Sequence, residues 1–388
     1  MRSPPRPRFG VARAALLAAA LWLLSPRDGR AETTITYKYQ DYREEAGRVA
    51  VQAQYGLVEH ALSPDAKLKL TGVIDTIAGA TPTGQAPTVA LGPVPLARMD
   101  EVRKAWSLDY SHQLGRTAVT AGAAASRESD YVSRAGSLNT ATDFNQKNTQ
   151  LLLGLGVADD SLRVFHQPAW EEKRAWDAVI GVNQVVDRHT TVSLNLTLSR
   201  ISGYQSDPYK IISKRTEILP GLFLPLTFPE NRPRRRDRQI VLASVNHAVP
   251  RLAGAAEASY RFYRDTFGTR SHTLTAAWLQ KIGDRLVLTP SARFYQQGAA
   301  DFYRVTLSGT SIVPTTAPRP DGPHYSADYR LSAFRSLNLG LKLVWHATDR
   351  LRLDAAYDHY RMTGRDTVTS PSAYARATIL TGGASFTW

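Results

Sequence analysis

The sequence predicts an all-β fold, a single transmembrane antiparallel β-barrel of about sixteen strands. Three observations lead to this prediction. Apolar and polar residues alternate along many short segments, the connectors between these segments are alternately short and long, and the chain ends on an aromatic residue. Only every second residue of a barrel strand faces lipid, which accounts for a mean hydropathy of −0.29 in a membrane-spanning chain.

Residues 1–31 have the features of a secretory signal peptide. They begin with basic residues such as Arg2, continue with the apolar run Ala14 to Leu24, and end in Gly-Arg-Ala at position 31. The apolar run is about half of the roughly twenty residues that a membrane-spanning helix needs. We therefore expect cleavage after Ala31 and export, with residues 32–388 forming the barrel.

The charge of the chain indicates which partners to expect. The chain holds 48 Lys and Arg against 34 Asp and Glu, and because residues 1–31 contain six of the basic and one of the acidic residues, the remainder keeps a net charge near +9. An exported basic protein is expected to meet membrane lipid, lipopolysaccharide phosphates or anionic solutes, and not nucleic acid. The absence of cysteine excludes a disulfide framework, and no cofactor or metal is predicted.

The clearest strand runs from residue 335 to 347. One of its faces holds Leu337, Leu339, Leu341, Leu343 and Trp345, and the other holds Ser336, Asn338, Gly340, Lys342 and His346. An amphipathic helix would instead place apolar residues three and four apart. The polar face must avoid lipid, because a Lys at the bilayer midplane costs about 2–4 kcal/mol.

The same alternation predicts strands along the whole mature chain. Their approximate ranges are 33–42, 47–60, 65–76, 102–113, 117–128, 147–157, 161–169, 173–186, 189–203, 237–249, 253–265, 270–283, 285–299, 335–347, 350–362 and 374–388. An even strand number is typical of bacterial barrels. The segment 161–169 is the weakest of the set, and its loss would leave fourteen strands after re-pairing.

Connector lengths provide an independent test, since such barrels have short periplasmic turns and longer external loops. The predicted long external loops lie near 77–101, 129–146, 204–236, 300–334 and 363–373. The short connectors fall between them, at the opposite end of the barrel, although three of the external loops, near 44, 171 and 267, are also short. Both termini of the mature chain are therefore expected in the periplasm.

The last strand carries a second indication of membrane insertion. Leu380, Ala384, Phe386 and the terminal Trp388 share one face. This pattern resembles the C-terminal signature that the outer-membrane assembly machinery recognises, although the last residue there is usually Phe. Together with the signal peptide it predicts the outer membrane of a Gram-negative bacterium, and the alternative is an ordinary edge strand that ends in Trp.

Strand parity also predicts charged residues that face the barrel interior. Basic members are Lys67, Lys69, Arg103, Arg261, Lys281, Arg293, Lys342 and Arg352, and acidic members are Asp75, Asp109, Asp177, Glu257, Asp354 and Asp358. A nearly balanced interior suits either a salt-bridge network that closes the pore or a water-filled channel with slight anion preference. Because sixteen to eighteen strands leave an aqueous interior, we favour a porin-like channel for small, anionic solutes. The alternative is a sealed barrel that acts as a scaffold or partner-binding platform for periplasmic or surface proteins.

Three further groups of residues suggest sites outside the interior. The first group is basic and could bind lipopolysaccharide phosphates or form a solvated loop edge: it comprises Arg232, Arg234, Arg235, Arg236 and Arg238. The second is a set of oxygen ligands for Ca²⁺ at Glu128, Asp130, Asn139, Asp143 and Asn145, whose spacing matches no EF-hand. The third holds His272, His324 and His359, candidates for a surface hydrolase, but without a G-x-S-x-G elbow we expect no enzyme.

Several phrases near the loops resemble a family of uncharacterised bacterial outer-membrane barrels, the domain-of-unknown-function family 3570 (DUF3570). The phrases are YQDYREE (39–45), VIDTIAGATPTG (73–84), SRESDYVS (126–133), DFNQKNT (143–149), GYQSDPYK (203–210), PENRPRRR (229–236) and SADYRLSAF (326–334). They span nearly the whole mature chain in order. The resemblance implies an outer-membrane barrel and no particular activity, and it points only to a redox-linked periplasmic setting.

Overall fold

The computed structural model describes residues 32–388, in which sixteen strands close into one antiparallel barrel. The barrel strands are β1 Thr33–Glu44, β2 Ala50–Ser63, β3 Ala66–Pro82, β4 Leu96–Leu114, β5 Thr117–Arg127, β6 Tyr131–Phe144, β7 Thr149–Arg163, β8 Trp170–Val185, β9 Thr190–Gly203, β12 Arg235–Val249, β13 Gly254–Asp265, β14 Arg270–Ile282, β15 Leu286–Gln297, β17 Phe334–His346, β18 Leu351–Gly364 and β19 Arg376–Thr387. The predicted fold class is confirmed. The predicted signal peptide, 1–31, lies outside the described residues.

Smaller elements occur between the barrel strands. A separate sheet contains β10 Ile211–Leu219, β11 Leu222–Pro229 and β16 Thr306–Leu307. Short 3-10 turns span Glu45–Gly47, Asn145–Lys147, Pro250–Leu252, Tyr329–Leu331 and Pro371–Ala373. Within residues 32–388, no helix is long and apolar enough to cross a membrane.

The ring closes where the first strand pairs with the last. The backbone N–H of Thr33 donates to Trp388 (3.0 Å) and that of Trp388 donates back to Thr33 (3.1 Å). Closure leaves no strand edge, which matters in a bilayer because each unpaired backbone group there costs several kcal/mol. Both ends of the described chain therefore lie at the same rim.

The two rims differ in the length of their connectors. At one rim, here called the turn end, the connectors are 64–65, 115–116, 145–148, 186–189, 250–253, 283–285 and 347–350. At the other, the loop end, they are 45–49, 83–95, 128–130, 164–169, 204–234, 266–269, 298–333 and 365–375. All of the long connectors therefore lie at the loop end, where 45–49, 128–130 and 266–269 are short, and the termini lie at the turn end.

Two of the sequence predictions were wrong. One missed a strand and the other added one, so the predicted number of strands was still sixteen. The predicted loop 129–146 is strand β6, and the predicted strand 161–169 is the end of β7 followed by a connector. Strand β6 carries Val132, Leu138 and Phe144 on its outer face, but Arg134, Gly136, Thr140 and Thr142 lie between them and interrupt the apolar alternation. Leu162 and Val164 alternate as a strand would, but they are buried against Tyr204 in the loops and do not face lipid.

The outer surface carries the apolar residues that the alternation predicted. On β17, Leu339 is 50% exposed, Leu341 49% and Trp345 45%, and each pairs in register with another outward residue. Exposed apolar side chains encircle the barrel in the same way, which fits contact with hydrocarbon. The other half of each strand lines the interior, and it positions the site described next.

Candidate functional site: the barrel lumen and its loop cap

The strand register places all of the predicted interior charges on the inward face. Asp75 and Arg103 are register partners on β3 and β4, as are Lys69 and Asp109. The remaining predicted charges point inward on β3, β8, β13, β14, β15, β17 and β18, namely Lys67, Asp177, Glu257, Arg261, Lys281, Arg293, Lys342, Arg352, Asp354 and Asp358. The wall of the lumen is therefore densely charged.

Most inward carboxylates near the loop end are neutralised by a neighbour. Asp75 accepts hydrogen bonds from Nε of Arg103 at 3.0 and 3.1 Å. Asp160 on β7 lies 3.1 Å from the amine of Lys173 on β8, and Asp265 on β13 accepts a 2.7 Å hydrogen bond from Nε of Arg236 on β12. These pairs leave little net charge in that part of the wall.

The charges that remain exposed in the lumen lean towards positive. Six basic inward residues are exposed, against three acidic ones. The basic residues are Lys67, Lys69, Lys281, Arg293, Lys342 and Arg352, and the acidic ones are Glu59, Asp177 and Glu257. Their exposure shows that the interior is not packed with side chains, and most of them lie in its turn-end half. A lumen of this kind can hold water and attract anions.

Long loops cover the lumen at the loop end. We call residues 83–95, 204–234, 298–333 and 365–375 the loop cap. The amine of Lys210, in the loop after β9, donates to the carbonyl oxygen of Pro82 at the end of β3, and the N–H of Ile211 donates to Thr83 (2.9 Å). Five strands separate β3 from β9 in the ring. The loop after β9 must therefore cross the mouth of the barrel.

The cap is held by a buried cluster of charged residues. Asp328, 1% exposed, accepts hydrogen bonds from Arg232 (2.8 Å) and from Nε of Arg330 (2.9 Å). Glu230, 2% exposed, accepts from Arg232 (3.1 Å) and from the hydroxyl of Ser326. These contacts join the loop 204–234 to the loop 298–333.

Burial and neighbouring charges have opposite effects on the pKa values of the two buried carboxyl groups. Burial raises the pKa of Glu230 to about 7, because its ionised form loses solvation. Burial also opposes ionisation of Asp328, but the adjacent Arg330 and Arg232 outweigh it and hold the pKa of Asp328 well below its usual range. Burial lowers the pKa of Lys210.

Apolar contacts reinforce the cap. Ile212, Leu307, Tyr325 and Ala327 form one buried cluster. A second contains Phe267, Ala300, Phe302, Tyr303 and Leu331. The hydroxyl of Tyr303 is 2.7 Å from that of Thr369, which ties in the loop 365–375. The cap is thus a folded layer with its own core.

Two adjoining cavities lie beside the cap. An inner cavity of about 500 Å³ is lined by Lys173, Arg236, Arg238 and Arg330 among others. An outer cavity of about 460 Å³ is lined mainly by residues 163–168. Asp130, Pro208 and Tyr209 line both, and the hydroxyl of Tyr209 donates to Asp130. This contact therefore lies where the two cavities adjoin.

The predicted lipopolysaccharide-facing group is corrected by the structure. Arg232 is buried in the cap, Arg234 pairs with Glu171 on the inward side (3.1 Å), and Arg236 and Arg238 point into the lumen. Only Arg235 lies on the outer surface. The reason is that strand alternation extends to the rim, and buried carboxylates that are distant in sequence capture the inward arginines.

The candidate calcium group is also corrected. Glu128 and Asp130 lie in the connector after β5 at the loop end, whereas Asp143 and Asn145 lie at the far end of β6. The length of β6, about 40 Å, separates them. Among residues 32–388, no group of three or more His, Asp or Glu side chains is arranged to hold a metal ion.

The candidate hydrolase histidines do not come together. His272 lies on the outer face of β14, where its Nδ1 is 2.7 Å from the hydroxyl of Tyr260, and His359 lies on the outer face of β18. His324 belongs to the cap. Two strands separate β14 from β18 in the ring.

The C-terminal residues close the ring at the turn end. Leu380, Ala384, Phe386 and Trp388 share the outer face, with the Phe386 and Trp388 ring centroids 5.6 Å apart. By contrast, the cap residues Glu230, Asp328 and Arg330 were missed from the sequence, and Arg232 was assigned to a different role. Their only signal was that Glu230, Arg232, Asp328 and Arg330 fall within the phrases 229–236 and 326–334 that carry the family resemblance.

Comparison with known proteins identifies a family and similar barrels. A family described as "Protein of unknown function (DUF3570)" matches residues 9–94, 89–170 and 163–387. No curated protein matches the chain. Among solved structures, a bacterial polysaccharide outer membrane secretin is similar, with 10% identity, a TM-score of 0.49, and coverage of 92% of this chain and 98% of the other.

Two further similar structures come from Pseudomonas aeruginosa. The outer membrane protein OpdK has 11% identity and a TM-score of 0.44, with coverage of 92% of this chain and 99% of the other. The siderophore receptor PirA has 9% identity and a TM-score of 0.44, with coverage of 93% of this chain. The chain spans 62% of the length of that receptor.

Proposed function

The chain belongs to the DUF3570 family, and from its solvated lumen we propose that it is a gated, porin-like channel for small anionic solutes across the outer membrane. The observation that carries this proposal is the exposure of inward charges such as Lys69, Arg293 and Lys342. A sealed barrel would pack or pair such groups, because an unpaired buried charge is strongly unfavourable. Water in the lumen avoids that cost.

The excess of basic residues among the exposed lumen charges supports a preference for anions. Six exposed basic groups against three acidic groups give the lumen a positive potential, while carboxylates near the loop end are paired. A charged wall beside low-dielectric protein concentrates ions of opposite sign. The solute would be small and negatively charged.

The loop cap supports gating. The loop after β9 crosses the mouth, and the Tyr209 and Asp130 contact lies where the two cavities beside the cap adjoin. Movement of residues 204–210 would join the inner and outer cavities without disturbing the barrel strands. Loop motions of this type are common as gates because loops open at a lower free energy than strands do.

Conductance of the purified protein in planar bilayers tests the proposal. We expect discrete conductance steps, and a higher open probability when a short Gly/Ser linker replaces residues 205–233. The matched control shortens only residues 215–226, which are mostly exposed and belong to the tip of the β10–β11 hairpin. A barrel that never conducts, even without residues 205–233, is not a channel.

A second candidate function is favoured by the cap itself. A layer with two apolar clusters and a buried charge cluster could close the barrel permanently, leaving a scaffold for periplasmic or surface proteins, including those of a redox-linked system. Cross-linking followed by co-purification tests this alternative. Recovery of the barrel alone, together with conductance, would eliminate it.

Export and assembly complete the proposal. Residues 1–31 would direct secretion, and the outer face of β19 with Trp388 would be read by the outer-membrane assembly machinery. Replacing Trp388 with Ala is expected to lower the amount of assembled barrel, with the Trp345→Ala variant on β17 as the control. Equal assembly of the two variants would remove Trp388 from this role. We propose no enzymatic activity.

A further inference from the structure

Charged residues on the outer face of the described barrel strands are confined to one half of the barrel. The strand register places the following basic residues outward, all exposed and all in the loop-end half of their strands: Arg43, Arg98, Lys104, Arg127, Arg134, Arg163, Arg174, Arg200, Arg235, Arg264, Arg270, Arg335, Arg361 and Arg376. The outward acidic residues are Asp41, Asp100, Asp159, Glu172 and Asp237. The turn-end half of the outer face, in residues 32–388, has neither kind. The loop-end rim therefore carries a belt with a large excess of positive charge.

One part of the belt lies on β9, β12 and β13, three consecutive strands of the ring, and carries three arginines. Asp237 is shared by two arginines, Arg200 at 2.9 Å and Arg235 at 2.8 Å, whose side chains remain 61% and 62% exposed. Arg264 donates only to the amide oxygen of Gln239 (2.7 Å). Arg200 and Arg264 are the register partners of Asp237 and Gln239, the next two outward positions after Arg235, so the three long side chains surround one patch of the outer face.

An apolar groove lies on the same strands, nearer to the turn end. Its volume is about 830 Å³, and its floor is formed by Ala258, Ala276 and Ala292, which are register neighbours on β13, β14 and β15. The larger Leu274 and Phe294 form a ridge beside it. A row of alanines between bulky residues leaves a channel on the lipid-facing surface that a flexible apolar chain can fill.

We propose that this face binds one lipid with a phosphorylated headgroup of the lipid A type. Its phosphate lies among Arg200, Arg235 and Arg264, and one of its acyl chains lies in the groove. From Arg264 to Ala258 the strand advances about 20 Å, which at a tilt of about 40° spans roughly half of the 30 Å hydrocarbon thickness. Headgroup and chain contacts therefore fall at the depths that one membrane lipid requires.

The two parts of the site together point to a lipid. A free phosphate would need only the arginines and would gain nothing from the groove. An apolar lipid would need only the groove. The site also indicates the orientation of the barrel in the membrane, because a lipid A site at the loop end requires that this end lie in the leaflet that contains lipopolysaccharide. It does not depend on the proposed channel, since all of its residues lie on the outer face.

Lipid binding to the detergent-purified full-length protein tests this inference. We expect native mass spectrometry to show retained lipid A carrying both phosphates, and at least tenfold weaker binding of lipid A from which the phosphates have been removed. The triple variant Arg200→Gln, Arg235→Gln and Arg264→Gln is expected to bind at least tenfold more weakly. The control Lys69→Gln, Lys281→Gln and Lys342→Gln changes the net charge equally but inside the lumen, and should bind normally.

The groove is tested without a change of charge. Ala276→Phe fills its floor and is expected to weaken lipid A binding several-fold, whereas Ala355→Phe on the outer face of β18 should not. This pair keeps the test valid if the arginine variant fails to fold, as judged by heat-modifiable migration. Equal binding by the charge variant and its control would overturn the proposal, and so would displacement of lipid A by inorganic phosphate. Conductance should be unchanged in all outer-face variants, so a failure here is distinct from a failure of the channel.

Discussion

Neutralising Asp328 should open the cap. This carboxylate is 1% exposed and accepts hydrogen bonds from Arg232 (2.8 Å), in the loop 204–234, and from Arg330 (2.9 Å), in its own loop 298–333. The Asp328→Asn variant keeps the size of the side chain but leaves two arginines without their shared counter-charge. Removing one partner of a buried ion pair costs about 3–5 kcal/mol.

The expected effect on the cap follows from that energy. Because the cost falls on the closed cap, and an open cap exposes these groups to water, the closed state loses roughly 3 kcal/mol relative to the open one. Since about 1.4 kcal/mol corresponds to a factor of ten, the open-to-closed ratio should rise about a hundredfold. Single-channel recording measures this ratio directly as open probability.

An exposed ion pair provides the control. Asp159 pairs with Arg174 on the outer surface, where the two side chains are 54% and 58% exposed. Exposed pairs contribute about 0–1 kcal/mol, so Asp159→Asn should leave the open probability nearly unchanged. If Asp328→Asn and Asp159→Asn conduct alike, and hydrogen exchange in residues 204–234 is the same in both, the buried cluster does not hold the cap closed.

Three other predictions concern the lumen, the pH and the backbone. The Lys67→Gln and Lys69→Gln double variant should lower the anion-to-cation permeability ratio, measured as a shifted reversal potential in a salt gradient; an unchanged potential would argue against anion attraction by the wall. Because burial raises the pKa of Glu230 from 4.5 to about 7, the closed cap binds this proton more tightly than an open cap does. This proton therefore stabilises the closed cap fully below about pH 4.5, and the stabilisation, roughly 3 kcal/mol, is lost as the pH rises through 7. Open probability should rise over the same pH range. The Glu230→Gln variant should not show this rise. Gly79 has φ +121° and a Cβ there would lie 2.0 Å from the carbonyl oxygen of Arg48, so Gly79→Ala should destabilise the barrel by about 1–3 kcal/mol, seen as a lower temperature of heat-modifiable unfolding, whereas Gly72→Ala should not.

The barrel was predictable from the sequence because its governing constraint is local. Along β17, lipid-facing and water-facing positions alternate strictly. The residue types at Leu339 and Lys342 therefore predict which face each one lies on, without information from the rest of the chain. Where apolar and polar residues alternate less regularly, the strand is not predicted. On the outer face of β6, Arg134 and Gly136 separate Val132 from Leu138, so the apolar alternation that marks a lipid-facing strand is interrupted.

The cap was not predictable because its contacts are distant in sequence. Arg232 and Asp328 are nearly a hundred residues apart, and nothing local in either phrase indicates that their two loops meet. The arginine run was therefore interpreted as one surface, although its members point to opposite sides of the wall. The outward arginines of the belt were in principle visible, since Arg174 and Arg200 have outward parity near the loop end of their strands.

Cysteine labelling along β17 tests the central claim, that alternate residues face hydrocarbon and a wetted lumen. The chain contains no cysteine, so single cysteines at Asn338, Leu339, Leu341 and Lys342 report their own surroundings. In lipid vesicles exposed to reagent on both sides, a membrane-impermeant maleimide should label positions 338 and 342 and leave 339 and 341 unlabelled. Equal labelling of all four positions, or labelling only at 339 and 341, would contradict the barrel with a water-filled interior.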